Sequence, residues 1–85
     1  MMFNGALFAL GATRVLVVVV RPWVLEDPYE TELLQLGFQL RCRCSVVLMA
    51  QDVRGRPRFH GDARVTKLLR RHALSDIAWR RFSLP

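Results

Sequence analysis

The sequence is poor in the residues from which small proteins usually build sites or staples. It holds two cysteines, two histidines, one tyrosine and a single lysine in 85 residues. Cys42 and Cys44, one residue apart, make no disulfide framework, and same-side neighbours on a strand are badly placed to bridge. They read as reduced thiols in a reducing compartment. With His60 and His72 they total four soft donors, but paired zinc ligands are normally two residues apart, so no metal or other cofactor is expected. Acid is scarce after residue 40. Two cations against four acids leave residues 1–40 at −2, whereas eleven against Asp52, Asp62 and Asp76 leave residues 41–85 at +8.

Enzyme signatures are also missing. Gly55 and Gly61 lack the lysine-threonine continuation of a phosphate-cradling loop. His60 stands two residues from Asp62, and Ser45 and Ser75 are available hydroxyls, but no spacing brings nucleophile, base and orienting group together. Glu26, Asp27, Glu30 and Glu32 serve better as helix-start acids than as a catalytic pair. A non-enzymatic protein with no small-molecule substrate is expected.

What the chain has is a buried strand. Residues 14–21, RVLVVVVR, set five valines and a leucine between two arginines. β-branched side chains crowd in a helix and suit the pleated backbone, so this run predicts a strand covered on both faces. Residues 1–13 are apolar and uncharged, and form an expected N-terminal extension to a single small domain spanning 14–85. The extension is read as a short helix or strand with Phe3, Leu7 and Leu10 on one side, packed on a neighbour. Residues 3–20 together also read as a membrane-spanning stretch. Arg14 opposes that reading at about 2.5–3.5 kcal/mol, and Gly5 and Gly11 weaken a helix. No basic segment precedes the apolar part, so a signal peptide is not expected.

After Pro22 ends the strand, Asp27-Pro28-Tyr29-Glu30 predicts a helix start, with Asp27 as cap and Glu30 reaching back to it. Tyr29, Leu33 and Leu36 share the expected apolar face, with Leu34 at its edge, and Gly37 is the left-handed stop. From 39 to 50 the period becomes two, which predicts a long strand carrying Arg41 and Arg43 side by side, with the cysteines on the inner face. Residues 51–61 hold Arg54, Arg56 and Arg58 in a loop or hairpin tip. Asp62 caps a second helix predicted to reach 73, with Val65, Leu68, Leu69 and His72 inward and Arg64, Lys67, Arg70 and Arg71 outward. Residues 75–85 supply a last short strand or helix around Ile77, Trp79 and Phe82. The expected fold class is α/β, a small two-layer α/β sandwich of order β-α-β-α-(β), with both helices on one sheet face.

Ten of the eleven cations beyond residue 40 are arginine, which grips phosphate in two-pronged fashion and stacks on bases. Arg41, Arg43, Arg54, Arg56, Arg58, Arg64, Lys67, Arg70 and Arg71 are the candidate RNA-binding residues, with Arg80 and Arg81 beyond them. Phe59, Trp79 and Phe82 are interleaved and are read first as core. Arginine contacts to phosphate release counterions and give affinity without sequence choice.

The strand ending in Val20-Arg21, then Pro28-Tyr29 with Leu33, Leu34, Leu36 and Gly37, then Val65, Lys67, Leu68 and Leu69 resembles the ribosomal large-subunit protein L-thirty family, above all its mitochondrial members. The likeness spans about residues 14–71. It implies a structural RNA-binding component of a large ribosomal subunit in the mitochondrion, partnered by ribosomal RNA and neighbouring ribosomal proteins. Residues 34–38 (LQLGF) and 66–75 (TKLLRRHALS) are similar to HicA-type toxins, which cleave RNA. Here the place of their histidine falls at Cys44-Ser45-Val46, so an RNA-binding, non-cleaving protein is what that likeness implies. A reading of another class remains: a small accessory subunit of a membrane complex, anchored by residues 3–20.

Overall fold

The computed structural model describes residues 1–84. The chain is a small α/β sandwich built on one mixed sheet of five strands with two helices. The strands are β1 (Met2–Leu10), β2 (Thr13–Val19), β3 (Ser45–Gln51), β4 (Pro57–His60) and β5 (Arg80–Ser83), in the spatial order β4-β3-β2-β1-β5. The helices are α1 (Pro28–Cys42) and α2 (Ala63–Leu69). Strand β2 lies at the centre. It runs parallel to β3, with Val17 opposite Val47, and antiparallel to β1, with Ala6 opposite Val17.

Residues 1–13 are not an extension outside the domain. Met2–Leu10 is a strand of the sheet, and Gly11 at φ 62° turns the chain tightly into β2. Residues 3–20 are therefore a hairpin rather than one helix. Among the described residues no helix is long and apolar enough to cross a membrane. Gly5 has a packing reason: a Cβ there would stand 2.5 Å from the Val17 carbonyl oxygen of the paired strand.

Because the β2 valines face both ways, each face of the sheet needs cover, and one helix goes to each. Leu16, Val18, Val46 and Leu48 pack beneath Phe38 of α1. Val15, Val17, Val47 and Met49 pack beneath Leu69 of α2, with Val65, Leu74 and Trp79 around them. The expectation of both helices on one face fails for this reason. Only the parallel β2–α1–β3 connection ties a helix to a particular side, and the β3–β4 hairpin leaves α2 free to take the other.

Helix α1 begins as predicted. Asp27 Oδ1 accepts from the main-chain N–H groups of Tyr29 and Glu30 at 3.0 and 3.3 Å, and Pro28 opens the first turn. The Thr31 hydroxyl, buried, donates to the carbonyls of Val24 and Asp27 and locks the preceding 3-10 turn Pro22–Glu26 onto the helix. The end differs from expectation. The helix runs through Gly37 to Cys42, and Arg43 at φ 52° and ψ 41° is the left-handed cap. Carrying one glycine costs about 1 kcal/mol. Burying Phe38 and seating Cys42 against the core offset that. The strand predicted from residue 39 accordingly starts at Ser45.

The face of α1 is also rotated from the one predicted. Thr31, Leu34 and Phe38 point in, while Tyr29, Leu33, Leu36 and Leu40 are exposed. Helix α2 is shorter than expected, because after Leu69 the run Arg70-Arg71-His72 offers nothing apolar to bury. His72 is exposed, and Leu74 in a second 3-10 turn, Leu74–Asp76, brings the chain back onto the core.

Candidate nucleic-acid interface

The nine predicted cations fall into three groups. Arg54 and Arg56 stand in the β3–β4 loop, with Arg58 on β4 beside Ala50. Asp52 fixes this loop from within: its Oδ1 accepts from the main-chain N–H of Arg54 at 2.8 Å and of Arg56 at 2.9 Å. Gly55 at φ 79° completes the turn, and Gln51 Nε2 donates to the Gly55 carbonyl. The acid is spent on backbone, and the guanidinium groups are left outward.

Arg64, Lys67, Arg70 and Arg71 form the second group, all exposed on or just after α2. Asp62 caps that helix, accepting from the Arg64 N–H at 2.8 Å. Leu69, 2 % exposed, holds the helix down on the sheet, and the outer side carries the cations together with Leu68, which is exposed rather than inward as expected.

Arg41 and Arg43 make the third group, and here the structure corrects the expectation of a shared strand face. Arg41 is in the last turn of α1 and Arg43 is its cap, where the negative end of the helix dipole favours a cation. They lie on the α1 side of the sheet, whereas α2 lies on the other. The sheet divides the predicted set.

Among the described residues none of these cations meets a carboxylate. The single contact between a basic and an acidic side chain among the described residues joins His60 Nε2 to Glu32 Oε1 at 3.2 Å, and it involves no arginine. That pairing also separates His60 from Asp62, whose carboxylate is occupied at the α2 cap, so the imidazole–acid pair considered from sequence is not formed. The described residues hold no group of three or more metal-type ligands. Cys42 and Cys44 are free thiols at the end of α1 and the lead into β3, not two positions of one strand.

The interleaved aromatics are engaged internally. Trp79 Nε1 donates to the Leu74 carbonyl at 2.9 Å, Phe82 stacks on Phe3 at 5.4 Å, and Phe59 packs into the α2-side core. Arg80 lies over the Phe82 ring at 5.0 Å, and Arg21 over Trp23 at 5.5 Å. The surface offered by α2 and the β3–β4 loop is thus guanidinium without open aromatic faces. Such a surface suits a phosphate backbone better than unstacked bases.

The arrangement defines a class, a small α/β sandwich with exposed cations on α2 and its exit and in the β3–β4 loop. No family model matches the chain, nor does any curated protein or solved structure.

Proposed function

We propose that the chain is a non-enzymatic, structural RNA-binding component of a ribonucleoprotein, gripping phosphates through Arg54, Arg56, Arg58, Arg64, Lys67, Arg70 and Arg71. The observation that carries the reading is the absence, among the described residues, of any carboxylate partner for these seven cations. Side chains arrayed this way on ordered backbone gain most from an external polyanion that releases its counterions on binding. The half-buried aromatics, engaged with the core, support backbone and shape recognition over base reading. The sequence likeness to the L-thirty family makes a large ribosomal subunit, in the mitochondrion, the assembly to test first, with ribosomal RNA and adjoining ribosomal proteins as partners.

The test is binding of the full chain to a structured RNA across a salt series. The reading expects affinity to fall steeply between about 50 and 200 mM salt, as several phosphate contacts require. Affinity that ignores salt, or no retention of RNA at all, overturns it. Co-purification from mitochondria in a particle containing large-subunit RNA would support the ribosomal assignment, and its absence there would remove that assignment.

A further inference from the structure

Nothing in the described chain covers the outer side of α1. Tyr29, Leu33, Leu36 and Leu40 follow a four-three-four spacing that keeps them on one side of a helix. Each is at least half exposed, Tyr29 at 73% and Leu40 at 71%. A shallow groove runs alongside, lined by Met1, Leu33, Leu34, Gly37, Phe38 and Arg41. An apolar stripe of this regularity marks an interaction surface, because water gains when it is covered.

We infer that this stripe is a self-association surface, on which a second copy of the chain lays its own α1 in antiparallel fashion about a two-fold axis. The helix is complementary to itself in that direction alone. Glu30 stands in its first turn and Arg41 in its last. They are eleven residues apart, about three turns, and so occupy the same flank of the stripe. A two-fold axis across antiparallel helices sets like flank beside like flank and start beside end. Glu30 of each copy then faces Arg41 of the other, whereas a parallel pair sets unlike flanks together and would bring Glu30 beside Glu32, another acid, on the opposite flank of the second copy. Both side chains are exposed, and among the described residues the one bond either side chain makes is a long contact from Arg41 to the Met1 sulfur at 3.9 Å.

Gly37 lies on that same flank. The position its missing Cβ would occupy has no neighbour within 4 Å, so a second helix can approach closely there. The size of the surface sets the strength. A 15-residue helix is about 22 Å long. Four side chains along it bury less than the roughly 800 Å² per partner of a standard interface. The dimer is therefore weak and concentration-dependent. Helix α2 is on the opposite face of the sheet, so association leaves its cations free.

Sedimentation equilibrium on the full chain tests this. The expected result is an apparent mass rising from 9.8 kDa toward twice that value as concentration increases. Glu30→Arg and Arg41→Glu should each weaken association roughly tenfold, and the double variant should restore it. Leu33→Glu with Leu36→Glu should abolish association while the circular dichroism spectrum is retained. A monomer at every concentration overturns the inference, as does association unaffected by all of these changes. Binding of a monomeric chain to phosphatidylcholine vesicles, lost in the leucine variant, would assign the stripe to lipid and overturn it too. The inference is independent of the RNA reading: a monomer that binds RNA sinks one, and a dimer that does not sinks the other.

Discussion

The ring of Phe3 meets that of Phe38 edge-on, centroids 5.0 Å apart and planes at 72°. This contact ties the second residue of β1 to the buried side of α1, and Phe3 also stacks on Phe82 of β5. The start of the chain thus joins two strands and a helix. Removing residues 1–13 would strip β5 of its only partner and uncover Val18 and Leu16. The shortened chain is expected to be unfolded by circular dichroism at 25 °C. A cooperative melt from residues 14–85 alone would contradict the assignment of β1 to the core.

Two glycines should respond in opposite senses to the same substitution. Gly37 sits in an α-helix with open space where a Cβ would go, so Gly37→Ala should stabilise by about 0.5–1 kcal/mol. Gly5 sits where a Cβ would press within 2.5 Å of main chain, which cannot give without opening the β1–β2 ladder. Gly5→Ala should destabilise by about 1–3 kcal/mol. Urea denaturation of the two variants beside the parent measures both signs.

The contrast between those glycines also explains what could be read from the sequence. The valine run announced β2 because no other element tolerates it, and Asp27-Pro28 and Asp62 announced helix starts because capping is local chemistry. Gly37 misled because its cost is about 1 kcal/mol while the burial of Phe38, one residue on, is worth more. The alternation from Leu40 to Ala50 misled because its first three residues also continue the helical series Leu34, Phe38, Cys42, and only the sheet decides between periods. Strand β1 was obscured by having apolar residues on both faces. The cations of the α2 surface were legible as a charged helix face, whereas placing Arg41 and Arg43 required the true end of α1.

That placement yields a prediction for binding. Arg64, Lys67, Arg70 and Arg71 share α2 and its exit, while Arg41 and Arg43 are across the sheet from that helix. Replacing Arg70 and Arg71 by alanine should weaken RNA binding uniformly across sequences. It should also reduce the slope of log affinity against log salt by about 0.7–0.9 per contact removed. Replacing Arg41 alone should leave that slope unchanged. An equal loss from both would mean that the polyanion wraps the molecule rather than using one side.

Cys44 supplies a pH dependence. Burial pushes its thiol above the ordinary cysteine value, helped by the nearby Cys42, while the Leu16 main chain and Arg14 pull weakly the other way. A thiol raised in the folded state holds its proton when the unfolded chain has begun to lose it. The folded state is therefore unaffected below the unfolded value, near 8.5, and loses stability as pH rises from there through the folded value. Urea midpoints at rising alkaline pH should fall faster for the parent than for Cys44→Ala, which has no proton to lose at that position. The same burial predicts that Cys44 reacts with iodoacetamide at pH 8 more slowly in the folded chain than in the unfolded one, resolved by peptide mass mapping. Equal rates in both states would show the thiol to be open, and the lead into β3 would then have to be looser than its packing against the α1-side core implies.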